Sequence, residues 1–492
     1  MTVRTRYAPS PTGDPHIGNI RAALFSWAFA RANGGQFVLR IEDTDRNRFV
    51  ETSVDAICES LRWLGITWDE GPGVGGAHEP YYQSQRLPLY QKAAMTLIEC
   101  GRAYRCFCTA ERLDAMRAQQ AARKQPPGYD GLCRDIAPDL SADRAKREPF
   151  VVRFKMNREG TTVLHDLVRG DVVFENVLQD DFVMLKSDGF PTYHLGVVVD
   201  DTEMEITHTI RGDEWISSAP KHIQLYEALG WEPPEWVHLP LILGPDHKKL
   251  SKRSGDTSVL DYRTNGYTPE AMVSFLAFLG WSLDDKTSIV TREELASNFT
   301  IERVVPNPAM FDIERLNFLN GHFIREMDEQ RWHSTIAEWC DRQFDASVPR
   351  PIPTDFVERV APLLRERVIR LDQIGPMVAF LFGKDAPEYE PALLAERLGG
   401  DPAVGRQVVD AALVALDAIP APSWAQDTIE AAVRGLEATL GMKLRKFVSV
   451  LYVAEMGVPQ GIPLFDSMVL LGRERSLDRL RAARARLEHL HA

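Results

Sequence analysis

The sequence predicts an α/β protein: an open, mainly parallel sheet built from roughly the first half of the chain, continued by an all-helical C-terminal part. Three observations lead there. Short apolar runs, each ended by glycine, proline or acidic residues, alternate with stretches of helical spacing up to about residue 240. Polar clusters stand directly after several of those runs, at the carboxyl ends of strands where open α/β sheets bind ligands. Beyond about residue 325 apolar residues recur at three- and four-residue steps, with few strand candidates.

Residues 3–8, VRTRYA, alternate as a short strand does, and Pro9 and Pro11 end it. From His16 onward Ile17, Ile20, Leu24 and Trp27 share one helical face, with Asp14 placed to cap that helix and Pro15 to open its first turn. The stretch RYAPSPTGDPHIGN at 6–19 is therefore a strand-to-helix turn. Its helix end offers N–H groups and a positive dipole to an anion such as phosphate. Gly18 lets a flat ligand approach the backbone, and His16 can donate to a phosphate oxygen. The bland alternative is a turn shaped by proline and glycine beside a surface histidine.

FVLRI at 37–41 reads as a second buried strand, with Glu42, Asp43 and Asp45 beyond its end. Carboxylates there suit an ammonium group or ribose hydroxyls, or else the local caps of a solvated turn. LGVVVDD at 195–201 is predicted as an apolar strand ending in two carboxylates, and ITHTI at 206–210 as another ending in Arg211, Gly212 and Asp213. Tyr193 and Arg211 then face one pocket, where an arginine suits bidentate carboxylate binding. At 243–256, LGPDHKKLSKRSGD holds Lys248, Lys249, Lys252 and Arg253 between Gly244 and Gly255. Such a loop can swing onto a polyphosphate and neutralise developing charge, although a solvated loop has the same composition.

At 492 residues the chain is long enough for about three or four domains. Its composition, 44% hydrophobic and 26% charged, is that of a globular protein rather than a disordered one. MTVRTRYAPSP has no apolar signal-peptide core and VSFLAFLGW at 273–281 is under half a membrane span, so a cytoplasmic protein with no membrane segment is expected. Six cysteines cannot make a disulfide framework, and only Cys106, Cys108 and Cys133 are grouped. A net charge of −13 argues against indiscriminate nucleic-acid binding but leaves room for local basic faces.

Taken together, HIGN at 16–19, KLSKR at 249–253, RIEDTD, YYQSQR, PTYHL and IRGDEWISSAPKH resemble, in order and spacing, the motifs of class I aminoacyl-tRNA synthetases of the bacterial glutamyl type. The likeness is specific over residues 3 to about 320 and looser through the helical remainder. It implies a Rossmann-type catalytic domain in two halves, 1–110 and 186–240, split by an insertion at 111–185 that grips the tRNA acceptor end. A linking domain at 241–325 with the KMSKS-like loop and a helical anticodon-binding region at 326–492 would follow. By this resemblance ATP lies among His16, Gly18, Asn19, Lys249, Lys252 and Arg253, with His16 and Lys252 catalytic. Glutamate lies among Arg6, Ala8, Ser10, Glu42, Tyr193 and Arg211. Glu42 suits the substrate ammonium; Arg6 and Arg211 suit a side-chain carboxylate that glutamine lacks.

The implied reaction joins L-glutamate to the α-phosphate of ATP and then moves the glutamyl group to the 3′-terminal ribose of tRNA(Glu), and of tRNA(Gln) in some members. In-line attack at phosphorus needs positioning and charge stabilisation more than a protein nucleophile, and no Ser-His-Asp or Cys-His arrangement is present. Mg²⁺ is expected with the ATP, and a monomer as the working form. The chain departs from the family pattern at Asn19, where the motif's name has His, and at Val197, where some members carry an amide.

YRCFC at 104–108 and YDGLCRD at 129–135 are similar to the family's zinc-binding segment, which makes Cys106, Cys108, Cys133 and Asp135 the implied ligands, Asp135 standing where His is usual. The other reading is three reduced thiols. Arg365, Arg367 and Arg370 on one helix, and Lys443, Arg445 and Lys446 near another, are candidates for anticodon or phosphate contacts. Three alternatives share parts of the pattern. A nucleotidylyltransferase would not need the helical extension, a short tRNA-base-modifying relative would lack it, and a non-enzymatic RNA-binding paralogue would lose residues such as His16 or Lys252.

Overall fold

The computed structural model describes residues 2–250, 258–346, 348–383 and 385–489. Contacts divide the chain into two units: residues 1–263 with 269–319, and residues 264–268 with 320–492.

In the first unit the longer strands are β1 (Arg4–Tyr7), β2 (Gln36–Leu39), β3 (Ala103–Cys106), β4 (Val151–Phe154), β5 (Thr161–Asp166), β6 (Gly170–Glu175), β7 (Val183–Leu185), β8 (His208–Gly212) and β9 (Glu235–Leu239), beside a two-residue parallel pair, Ile242–Leu243 with Ala309–Met310. They form a six-stranded sheet in the order β2-β1-β8-β9-β5-β6 and a three-stranded sheet in the order β3-β4-β7. The larger sheet is parallel except at its β5–β6 edge hairpin; the smaller is antiparallel. Two strands from within residues 111–185 thus extend the main sheet.

The first helix, α1 (Ile17–Ala32), buries Ile17, Ile20, Leu24, Phe25 and Trp27. It packs on β1, β2 and β8 on one side and on helices Pro269–Phe278 and Arg292–Asn298 on the other, so apolar residues ring it. Its N-cap is His16 in extended conformation, and no side chain caps the first turn. Asp14 and Pro15 therefore precede the helix rather than cap and open it. The turn is longer than expected, and the helix carries no acidic residue in its own first turn.

Residues 195–201 are not a strand. They belong to helix α2 (Tyr193–Glu203), whose residues from Leu195 to Asp201 are all buried. A short helix packed on every side carries no polar stripe, so its sequence is indistinguishable from a buried strand by periodicity.

The second unit is built of helices, and beyond Met310 no strand occurs among the described residues. Helices Glu329–Gln343, Thr354–Arg365, Pro402–Asp417, Gln426–Leu440, Leu444–Met456, Leu464–Leu471 and Arg473–His489 enclose a core that includes Trp332, Leu364, Val408, Leu416, Val450 and Leu480. No helix among the described residues is long and apolar enough to cross a membrane.

Candidate active site

A cleft of about 420 Å³ opens at the carboxyl ends of β1 and β8, a size suited to a small ligand. Arg6, Ala8, Ser10, Glu42, Tyr193 and Arg211 line it, joined by His16, Gly18, Asn19 and Lys249. The glutamate set and the described members of the nucleotide set, expected from separate stretches of sequence, share one cavity. Lys252 and Arg253 lie outside the described residues, but the chain on either side of them is at the cleft: Lys249 and Leu250 line it and Ser258 forms an antiparallel bridge with His16. A Cβ on Gly18 would stand 3.2 Å from His16 Cε1 and 3.3 Å from its Nδ1. The glycine thus leaves room for the imidazole as well as for a ligand.

One wall of the cleft is a buried charge network. Arg6 Nε donates to both oxygens of Asp201, at 3.1 and 3.2 Å. Arg40, fully buried, donates to Asp201 at 2.8 Å and to Glu42 at 3.2 Å. Asp200 accepts from Arg86 at 2.7 Å and from Gln83 and Tyr90 at 2.8 Å. Buried charges persist when they are paired and hydrogen-bonded like this. Burial would raise Asp201, but Arg6 and Arg40 hold it below the usual carboxylate range. Burial would likewise lower Arg40, and its three carboxylate neighbours keep it charged. Glu42 differs. Burial pushes its carboxyl up to about 7 against the pull of Arg40 and Arg6, so this group gains most from an incoming cation.

The other acidic residues after β2 are structural. Asp43 accepts from the Ser84 backbone at 2.8 Å and hydroxyl at 2.6 Å, and exposed Asp45 pairs with Arg48.

The opposite wall carries Arg211, which donates from Nη1 to the Tyr193 hydroxyl at 3.0 Å and from Nε to His238 at 3.0 Å. Its guanidinium lies 5.0 Å from the Trp236 ring centroid. The sequence reading brought Tyr193 and Arg211 together but missed His238, His222, Arg40 and Asp201, which hold the cleft's arginines and Glu42. Val197 is packed in the core and does not line the cleft.

Away from the cleft, the sulfur atoms of Cys106, Cys108 and Cys133 lie within 4.8 Å of one another. Asp135 is not with them: its carboxylate is 83% exposed and pairs with Lys155 at 3.2 Å. The oxygen beside the thiols is the Tyr129 hydroxyl, 3.4 Å from the Cys106 sulfur and 3.6 Å from that of Cys108. Three convergent thiols with an oxygen donor are a set that a tetrahedral cation such as zinc accepts.

In the helical unit, Arg365 ends its helix and is spent on the Arg325 and Met327 carbonyls, while Arg370 pairs with Asp372. Arg367 and Arg370 thus lie past the helix that was expected to carry all three arginines. Arg367, Lys443, Arg445 and Lys446 are exposed.

Residues 2–318 match the family model for the catalytic domain of class I tRNA synthetases (E and Q), and residues 332–484 match that of an anticodon binding domain. A glutamate–tRNA ligase of Dehalococcoides mccartyi is 47% identical over 489 residues, covering 99% of this chain and 98% of the relative. One from Pseudomonas aeruginosa is 42% identical over 483 residues, covering 98% and 95%. Among solved structures, the glutamate tRNA ligase of Elizabethkingia meningosepticum in complex with its amino acid superposes with a TM-score of 0.83 at 31% identity, covering 99% of both chains.

Proposed function

The chain belongs to the glutamate–tRNA ligase family of class I tRNA synthetases, and on that premise we propose how its residues attach glutamate to tRNA. The observation that carries the assignment is the meeting of Arg6, Glu42, Tyr193 and Arg211 with His16 and Lys249 in one cleft.

Glutamate enters with its ammonium at Glu42 and its side-chain carboxylate at Arg211, with Arg6 nearby. Ala8 and Ser10 shape the floor. ATP lies over the start of α1, where Gly18 allows close approach and the helix N-terminus favours phosphate. The α-carboxylate of glutamate attacks the α-phosphorus, an O–P bond forms, and the bond to pyrophosphate breaks. His16, Asn19, Lys249, Lys252 and Arg253 are assigned to the phosphates, whose charge must be offset as it redistributes. Mg²⁺ accompanies the nucleotide; no protein ligand is assigned to it. A hydroxyl of the 3′-terminal ribose then attacks the mixed anhydride, forming the ester and releasing AMP.

Within this reading residues 1–110 and 186–240 do the chemistry, 111–185 hold the acceptor end, 241–325 link, and 326–492 read the anticodon. Zinc would be held by Cys106, Cys108 and Cys133 with the Tyr129 hydroxyl as fourth donor, and would brace the insertion without entering the reaction. A cytoplasmic monomer serving tRNA(Glu), and tRNA(Gln) where the anticodon contacts permit, completes the proposal. The test is charging of purified tRNA(Glu) and tRNA(Gln) with glutamate, glutamine serving as control. Glutamate-dependent charging of tRNA(Glu) is expected, and charging of neither RNA overturns the reading.

A further inference from the structure

Arg211 is embedded in a chain of histidines that ends on a buried carboxylate. Its Nε–H points to His238 Nε2 at 3.0 Å, and His238 Nδ1 is 2.6 Å from Asp166 Oδ2. The same Asp166 oxygen accepts the His238 backbone N–H at 3.1 Å, and its other oxygen accepts the N–H groups of Val168 and Arg169 at 3.0 and 2.8 Å. On the second side Arg211 Nη1 is 3.4 Å from His222 Nδ1, and His222 Nε2 is 3.0 Å from His194 Nδ1. Asp166, His222 and His238 are all buried. The Trp236 ring stacks with both the His222 and the His238 imidazoles, fixing their planes.

The protons follow from donor and acceptor arithmetic. A guanidinium has five N–H donors and no acceptor, so His238 Nε2 must offer a lone pair. Its proton is then on Nδ1, where Asp166 accepts it. By the same rule His222 Nδ1 accepts and Nε2 donates to His194. Each imidazole is neutral with one defined tautomer, in keeping with the downward push that burial and the Arg211 charge give His194 and His222. The Arg211 charge is balanced by Asp166 at one imidazole's remove rather than by direct contact.

We infer that Asp166, His238 and His222 are positioning residues for amino-acid specificity: they occupy the Nε–H and inner Nη1–H of Arg211 and fix its remaining donors toward a substrate carboxylate. This rests on the reading of Arg211 as the group that binds the glutamate side chain. Tyr193 takes the other Nη1–H and the Trp215 carbonyl lies 3.5 Å from Nη2, so what Arg211 offers a ligand is on Nη2. Donors alone stand there, which suits a carboxylate oxygen and gives an amide NH₂ no acceptor. Asp166 stands at the end of β5, beside Trp236 of β9, so the segment assigned to the tRNA acceptor end also completes the amino-acid pocket.

The test uses the full chain in charging of tRNA(Glu), measuring KM for glutamate and for ATP separately. His238→Leu removes the acceptor, and it is expected to raise KM for glutamate by about tenfold or more, the size expected of a lost hydrogen bond to a charged group, with KM for ATP changed less than about twofold. His238→Gln restores an acceptor near the Nε2 position and should recover most of the loss. Equal behaviour of the Leu and Gln variants, or parallel rises in both KM values, would overturn the inference. Should His238→Leu fail to fold, Asp166→Asn gives the second reading. It keeps an acceptor for the Val168 and Arg169 N–H groups while removing the charge and turning the position that faces His238 into a donor, and must show the same glutamate-selective rise; an unchanged KM for glutamate contradicts the proposal. Arg211→Ala separates this from its premise: if that variant keeps its glutamate KM, the assignment of Arg211 fails, whereas if it alone loses glutamate, only the positioning chain fails.

Discussion

The two arginines assigned to the glutamate pocket are buried alike, Arg6 at 5% and Arg211 at 6% exposure, yet they are held in opposite ways. Arg6 lies directly against the Asp201 carboxylate, which it shares with Arg40. Arg211 lies against neutral acceptors, Tyr193 and two histidines, with its balancing carboxylate one side chain further off. A guanidinium in contact with a carboxylate is already neutralised and attracts a second anion weakly. One held by neutral partners keeps its field for the substrate. Both arginines match the glutamate pocket by sequence, but their surroundings differ: Arg211 is the one free of direct carboxylate contact and so suits the carboxylate-reading role proposed for it, while Arg6 with Asp201 and Arg40 supports the wall that carries Glu42.

Asp201→Ala breaks the first side most severely. It leaves two buried guanidinium groups without their shared partner and should cost about 3–5 kcal/mol of stability, measured by denaturant unfolding. Arg211→Ala breaks the second side and should cost about 2–5 kcal/mol in transition-state binding for glutamate, read as kcat/KM, while leaving KM for ATP nearly unchanged.

Glu42 sharpens the contrast through pH. In the empty cleft its carboxyl is pushed by burial up to about 7, so below that pH it is protonated and must lose the proton to receive an ammonium. KM for glutamate should therefore rise as pH falls through 7, by up to about tenfold per unit, and Glu42→Gln should raise KM and flatten the profile. Gly18→Ala acts at the nucleotide end. By crowding the His16 ring it should raise KM for ATP by a few-fold, about 1 kcal/mol, and leave the preference for glutamate over glutamine unchanged.

What the sequence disclosed follows from how local each signal was. The β1 strand, the loop to α1 and the strand before Glu42 lie in consecutive residues with strong punctuation, and so were legible. The partners that hold the arginines were not: Asp201 is 195 positions from Arg6 and 161 from Arg40, and His238 is 72 from Asp166. Reading 195–201 as a strand hid Asp200 and Asp201 further, since carboxylates at a strand rim suggest ligands, whereas on a buried helix they are counter-ions. At the cysteine cluster the motif offset pointed to Asp135, but its side chain turns outward to Lys155 and Tyr129 supplies the oxygen. Arg365 looked like a surface arginine and is tied to backbone carbonyls, which spacing alone does not disclose.

The division of labour between the two arginines is tested most directly by competition. Equal concentrations of glutamate and glutamine are offered for charging of tRNA(Glu) by the unmodified chain, by Arg6→Gln and by Arg211→Gln, and the ratio of the two aminoacyl products is measured. The account requires the ratio to collapse in Arg211→Gln and to survive in Arg6→Gln even if total activity falls. A ratio lost in Arg6→Gln and retained in Arg211→Gln would contradict it.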